Sequence, residues 1–507
     1  MNRAVPLLQD FLAESARRLP DKIALVAGDV RLTYGELARR VRSLAATFVR
    51  RGISRGDRVL VFADNGPEAV VAFWAALEAN AVVSMISPQT KADKLAYMLA
   101  DSGAKALVTQ AKLAPVFRAA AARAPELAIT IVAGDPNGGW DEAIARDPDG
   151  SAPRACIDVD LAAIVYTSGS TGDPKGVMLT HRNMMTASTS ITTYLDNRED
   201  DVILGVLPLA FDYGLYQMIM AFQMGARLVL EKSFAFPPDV LSRVVREGVT
   251  GFPGVPTMFA MLAEMDGLAA WDFSKIRYVT NTAAALPVKH ITMLRELFPN
   301  ARIHSMYGLT ECKRCTHLPP EDLERKPTSV GVAIPNTELW IVDERDRRLG
   351  PHEVGQLVIR GATVMAGYWG KPDETAKKLR AGPVPGERVL YTGDYCRLDD
   401  DGYLYFVGRM DDIIKSRGEK VAPKEVEGAI VDVRGVKEAA VVGVPDPILG
   451  QAVKAFVVLE RGVSIEAKDI ERECRSRLES FMVPKHVVFV EELPKTTTGK
   501  INKSGLA

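Results

Sequence analysis

The sequence predicts an α/β protein: a large N-terminal domain of parallel-rich sheets covered by helices, closing in a small β-rich subdomain at about 331–408, then a small α+β C-terminal domain over 409–507. Three observations predict it. Short β-branched runs alternate with helix-period stretches as far as Ser305, the pattern of a parallel sheet covered on both faces. After Gly331, strands follow one another between turn signals such as Gly350-Pro351 and Asp401-Gly402. From about Arg409 helices and strands mix again, which places the main junction at 408–412.

Taken in order, apolar residues three or four apart predict helices at 11–18 and 34–51. Thr33 and Glu36 have the spacing of a capping box for the second, in which each side chain satisfies the other's backbone amide. Strands are expected at 58–62, 81–86 and 106–109, separated by helices at 69–78 and 94–101. A second set of strands is expected at 162–166, 202–207, 226–230, 249–252, 278–280 and 302–305. The β-rich segment has strand character at 337–343, 355–360 and 403–407. The last segment reads as a helix at 423–432, strands at 439–444 and 453–459, a helix at 467–478 and a strand at 486–490.

Composition removes several classes of function. Lys+Arg 63 against Asp+Glu 64 leaves a net charge of -1, so no overall basic field exists to hold nucleic acid. Five cysteines in 507 residues do not make a disulfide framework, and an odd count leaves one unpaired; a reducing, cytoplasmic setting is expected. The first twenty residues carry an acidic residue within their apolar stretch and do not read as a signal peptide. The most apolar stretch, 69–86, is interrupted by Glu78 and Asn80 and reads as a buried helix plus a strand, not a membrane span.

The strongest chemical signal is YTSGSTGDPKG at 166–176. An apolar strand runs into a loop in which Gly169, Gly172 and Gly176 let backbone amides approach an anion, Thr167, Ser168, Ser170 and Thr171 add hydroxyls, and Lys175 supplies a point charge. That is a phosphate cradle on physical grounds. It is not a P-loop, because Lys175 follows Pro174 where that motif requires Gly-Lys-Ser/Thr. An ordinary flexible loop has the same composition, so the loop alone leaves both readings open.

Extended to YTSGSTGDPKGVMLTHRN at 166–183, the stretch resembles the signature loop of the AMP-forming adenylating enzymes, which include acyl-CoA synthetases, luciferases and peptide-synthetase adenylation domains. Further matches follow in that family's order: MYGLTE at 306–311, YTGD at 391–394, GRMDD at 408–412, KSRG at 415–418 and PKTTTGK at 494–500. Six ordered blocks cover nearly the whole chain.

The resemblance implies a job for each block. Thr167, Ser168, Gly169, Ser170, Thr171 and Gly172 would bind the ATP phosphates with Lys175, and Tyr307 would stack on adenine. Glu311 would hold magnesium, a hard cation that favours carboxylate oxygen. Asp394 would accept from both ribose hydroxyls and Arg409 would contact ribose or phosphate. Lys175, Thr310, Glu311 and Lys500 form the implied catalytic set, with Lys500 at the oxygen that joins the acid to the α-phosphate. The C-terminal domain is implied to be mobile, turning at Asp411 to exchange Lys500 for the Gly418 region before the thiol step.

The acid is less legible. Phe211-Asp212 resembles the Phe-Asp of amino-acid adenylation domains, whose aspartate pairs with the substrate amine; equally, Asp212 has the residue type to cap a helix starting at Tyr213. Tyr213, Tyr216, Phe252, Asn281 and Met306 complete the expected pocket, whose bulk favours a compact or cyclic acid such as a proline-like imino acid. The expected acceptor is the phosphopantetheine thiol of a free-standing carrier protein, with coenzyme A as the alternative; the seven residues after Lys500 leave no room for a fused carrier. Cys312 and Cys315 form a lone C-x-x-C without a second pair, expected to line the pocket and not to bind metal. Lys313 and Arg314 depart from the small residues common at this place in the family, and could meet the substrate or a pyrophosphate oxygen.

Overall fold

The β-branched runs of the N-terminal part pair as parallel strands. In the computed structural model, which describes residues 6–146, 154–167, 174–282, 288–416, 419–447, 449–495 and 501–506, Arg58–Phe62 lies between Val82–Ile86 and Ala106–Gln110 in a seven-stranded sheet. Leu161–Thr167 and Ile129–Ala133 extend that parallel run outward. Lys175–Thr180 then turns back antiparallel to Leu161–Thr167, and Gly367–Tyr368 pairs with its outer edge. A nine-stranded sheet holds the second parallel run: Ile23–Ala27, Arg227–Leu230, Val202–Gly205, Gly251–Gly254, Tyr278–Asn281 and Arg302–Leu309. Antiparallel neighbours, Val30–Thr33 and Lys313–Leu318, flank that run.

The helices follow the sequence pattern closely. Thr33 Oγ1 accepts from the Glu36 amide at 3.1 Å while a Glu36 carboxylate oxygen accepts from the Thr33 amide at 2.8 Å, completing the expected capping box of Tyr34–Arg50. The apolar stretch at 69–86 is indeed helix plus strand. Residues 69–77 of the helix Pro67–Glu78 are buried on every side, as an all-round apolar helix must be. No helix among the described residues is long and apolar enough to cross a membrane.

The chain divides into two compact units. The first comprises Met1–Pro327, Ala333–Glu338 and Ile359–Leu390; the second comprises Thr328–Val332, Leu339–Val358 and Tyr391–Ala507. The segment 331–408 is thus shared between them, and the strands Thr337–Val342, Gly355–Gly361 and Arg388–Leu398 each run through the division. Within the second unit, Val436–Asp446 and Gly450–Leu459 form a long hairpin with His486–Phe489 parallel to its second strand. Val426 and Ile430 of helix Pro423–Val431 and Ile470 of helix Ala467–Arg477 pack on Val441 and Val457 of that hairpin. The α/β class and the large-plus-small order are as expected from sequence.

Several strands were not expected, among them the apolar Ile23–Ala27 and Ile129–Ala133 and three whose pattern is broken. Lys175–Thr180, Lys313–Leu318 and Arg388–Leu398 were not legible, because glycine, charge or a Thr-Gly-Asp turn signal interrupts their apolar pattern. The strand expected to end at residue 305 continues to Leu309, paired across a tight hairpin.

Candidate active site

The phosphate-cradle residues begin at the end of a strand. Thr167 closes Leu161–Thr167, and its hydroxyl donates to the Lys175 carbonyl at 3.4 Å across the hairpin. Ser168, Gly169, Ser170, Thr171 and Gly172 lie outside the described residues. Lys175 Nζ sits 2.7 Å from a Glu374 carboxylate oxygen and 5.6 Å over the Tyr368 ring. The hydrogen bond from Lys175 holds the Glu374 carboxyl down at about 2. Tyr368 in turn donates its hydroxyl to Glu311 Oε1 at 2.7 Å. Lys175 and Glu311, far apart in sequence, are therefore joined through Tyr368 into one polar cluster. Tyr368 and Glu374 went unnoticed in the sequence, where neither stands in a distinctive motif.

Glu311 is set by a hairpin. Arg302–Leu309 and Lys313–Leu318 run antiparallel, with Met306 opposite His317, Tyr307 opposite Thr316 and Gly308 opposite Arg314. Thr310 and Glu311 form the turn, and the Met365 amide donates to the Glu311 carbonyl at 2.7 Å. Gly308 is required by close approach: a Cβ there would lie 1.8 Å from the Lys313 carbonyl oxygen and 2.7 Å from the Arg314 Cα. Cys312 and Cys315 are buried free thiols within this hairpin, and Cys315 donates to the Tyr307 carbonyl at 3.5 Å. No group of three metal-ligating side chains occurs among the described residues.

The expected acyl-pocket residues gather around helix Asp212–Met224. Asp212 is its first residue; the cap is Phe211, with no side-chain cap hydrogen bond. The reading of Asp212 as a helix cap is therefore corrected: its carboxylate lies inside the first turn. Tyr213 donates to the Thr280 carbonyl at 2.9 Å, and Met306 sulfur accepts from the Tyr194 hydroxyl at 2.9 Å. Arg314 lies 4.8 Å over the Tyr213 ring and 5.7 Å over Tyr216, with the Lys313 ammonium also 5.7 Å from the Tyr216 ring. Burial pushes the Lys313 ammonium down, against the opposing pull of Asp212. Asn281 is buried at the end of Tyr278–Asn281, in register with Ser305. Phe252 is different: its ring contacts are with Phe234 at 6.3 Å and Phe298 at 5.5 Å, an aromatic core cluster.

The second unit holds the remaining residues. Asp394 and Arg409 are cross-strand partners, and Arg409 Nε lies 3.5 Å from Asp394 Oδ1. Asp394 is only 1% exposed in the middle of strand Arg388–Leu398, so the turn role that Thr-Gly-Asp suggests in isolation does not apply. The Arg409 side chain stays more than half exposed, leaving a cation at the open side of a buried carboxylate. Asp411 falls in the short turn Met410–Asp412 that follows Arg409 directly. Gly418 and Lys500 lie outside the described residues.

Comparison with known proteins identifies the family. The AMP-binding enzyme family matches residues 12–369, and the AMP-binding enzyme C-terminal domain matches residues 425–500. A long-chain-fatty-acid–CoA ligase of Bacillus subtilis is 32% identical, with 97% of this chain and 93% of that protein covered. A feruloyl-CoA synthase of an Amycolatopsis species is 34% identical, with 96% of each covered. Among solved structures, ATP-bound MatB from Rhodopseudomonas palustris superposes with a TM-score of 0.89 at 29% identity, covering 98% of both chains. Matched along nearly its whole length, the chain belongs to the AMP-binding enzyme family and is an AMP-forming ligase.

Proposed function

We propose that this protein activates a carboxylic acid as its acyl adenylate and transfers the acyl group to coenzyme A. The observation that carries the choice of acceptor is the near full-length similarity to relatives named as CoA ligases. The carrier-protein and amino-acid alternative rests on Asp212 as partner of a substrate ammonium. That role is disfavoured by the buried cations Lys313 and Arg314 beside Tyr213 and Tyr216, which repel a substrate ammonium. Five buried free thiols support a reducing, cytoplasmic setting.

In the first step a carboxylate oxygen attacks the α-phosphorus and the bond to pyrophosphate breaks. Lys175, the 168–172 loop and Lys500 supply positive charge and donors where anionic charge grows. Lys175 must loosen from Glu374 to do so, so that carboxylate holds the lysine in reserve. Glu311, oriented by Tyr368, suits one magnesium ion completed by phosphate oxygens and water, since that ion needs only one or two carboxylates. Tyr307 offers a ring for adenine, and the Asp394–Arg409 pair offers acceptor and cation for the ribose side. In the second step the coenzyme A thiolate attacks the acyl carbon and AMP leaves. Asp411 is the proposed pivot between the steps, with Gly418 on the thiol side.

ATP–pyrophosphate exchange across aliphatic, aryl and amino acids, followed by AMP release with and without coenzyme A, tests this reading. Exchange with a non-amino acid and AMP release that requires coenzyme A are expected. Exchange confined to amino or imino acids, with no thioester formed on coenzyme A, would return the function to carrier loading.

A further inference from the structure

Lys313 and Arg314 are 1% and 3% exposed, yet the Lys313 ammonium and all three guanidinium nitrogens of Arg314 have no hydrogen-bond acceptor among the described residues. Buried cations are nearly always paired, because an unpaired charge away from water is strongly unfavourable. Both reach the Tyr216 ring, although consecutive strand residues normally point to opposite faces. The exception has a cause. Lys313 has φ 64, in the left-handed region, beside a register shift at Tyr307 and Gly308. A lysine held in that region is strained, and such strain persists where surrounding structure imposes it, often at binding sites. The tyrosines around the pair offer ring faces, and the Tyr216 hydroxyl is itself buried without a partner among the described residues. Asp212 is a nearby carboxylate, but neither cation donates a hydrogen bond to it among the described residues.

We infer that the acyl pocket takes an acid bearing a second carboxylate, whose oxygens accept from Arg314 and Lys313 while Tyr213 and Tyr216 flank the linking carbons. A guanidinium presents two parallel donors that fit a carboxylate, and the adjacent ammonium supplies a third. The same pair repels a substrate ammonium and would bury its charge against the methyl end of a plain fatty acid. The inference rests on the acid–CoA ligase reading and deepens it.

The test compares acids matched in length and shape with and without a distal carboxylate, such as hexanoic with adipic and benzoic with the phthalic acids. Adenylation is read by pyrophosphate exchange and transfer by thioester formation. The diacids should be preferred by roughly tenfold or more in kcat/KM, the scale of a charge-assisted hydrogen bond. Arg314→Met should abolish that preference mainly through KM for the acid, and Arg314→Lys should restore part of it. Preference for the monoacids, activation of no diacid, or an unchanged preference in a folded Arg314→Met enzyme overturns the inference. So does an Arg314→Met enzyme whose KM rises for ATP alike with every acid, which would assign the cations to phosphate. Diacid adenylation without transfer to coenzyme A would instead sink the choice of acceptor while the inference stands.

Discussion

Replacing Gly308 by alanine tests the hairpin that organises the site. The new Cβ would lie 1.8 Å from the Lys313 carbonyl oxygen and under 3 Å from the Lys313 carbonyl carbon and Arg314 Cα. All three are backbone atoms, so no side-chain rotation relieves the overlap, and the strands must part by more than an ångström. Overpacking of this kind costs about 1–3 kcal/mol. Weakening the adjoining ladder hydrogen bonds adds about 1 kcal/mol each, for a total near 3 kcal/mol. The same shift moves Tyr307 and Glu311, and a 1 Å misplacement of positioning groups costs roughly a hundredfold in rate. Denaturant unfolding monitored by tryptophan fluorescence, with pyrophosphate exchange on the folded fraction, reads both effects. A Gly308→Ala enzyme within about 0.5 kcal/mol of the parent and equally active would refute the reasoning, because surface-like tolerance is incompatible with that contact.

Other outcomes follow from the same geometry. Thr33→Ala removes one half of the capping box and should lower stability by about 1 kcal/mol without changing activity; an unchanged denaturation midpoint would contradict the cap's contribution. Glu374→Gln releases Lys175 from its carboxylate and should lower KM for ATP, an effect shrinking with added salt; a raised KM would mean the pair positions the lysine and does not hold it back. His304 is buried with both ring nitrogens unpaired among the described residues, and burial pushes it down to about 3 from an ordinary 6.5. The unfolded chain therefore binds the extra proton first, so stability is full above pH 6.5 and declines as pH falls toward 3; His304→Asn should flatten that decline in acid unfolding curves, and parallel curves would exclude His304 as its source. Lys500→Ala should cripple adenylate formation while sparing transfer from preformed adenylate, and equal loss of both steps would reject the proposed division of labour.

Much of the fold was legible because its signals are local. The parallel strands are short apolar runs bounded by helices of clear period, and the Thr33–Glu36 box lies within four residues. Some strands that escaped, such as Ile23–Ala27 and Ile129–Ala133, are plainly apolar; others carry chemistry in place of apolar pattern, as Arg388–Leu398 contains Gly393 at φ 80 and the buried Asp394, so its middle reads as a turn. The site shows the same divide. Tyr307, Glu311, Asp394 and Arg409 could be found because they stand in recognisable blocks. Tyr368 and Glu374 could not, since their importance arises from a short strand and the helix after it being brought against Lys175 by the fold. Asp212 misled because aspartate at a helix start usually caps, and here the chain begins its first turn one residue earlier. Phe252 was placed by its distance from the blocks, whereas its ring belongs to the core. The burial of Lys313 and Arg314 runs against the normal placement of charged residues and no composition rule anticipates it.

The hairpin has one more consequence, which is thermodynamic. Its first strand carries Tyr307, its turn carries Glu311, and its second strand carries Lys313 and Arg314, with Gly308 and Arg314 locked as ladder partners. On the proposed reading, acid and nucleotide bind at two ends of this one hairpin. Any factor by which the acid tightens nucleotide binding must then equal the factor by which nucleotide tightens the acid. A change at Arg314 that abolishes acid recognition would erase this mutual factor from both dissociation constants at once, making the hairpin a coupler between its two ligands.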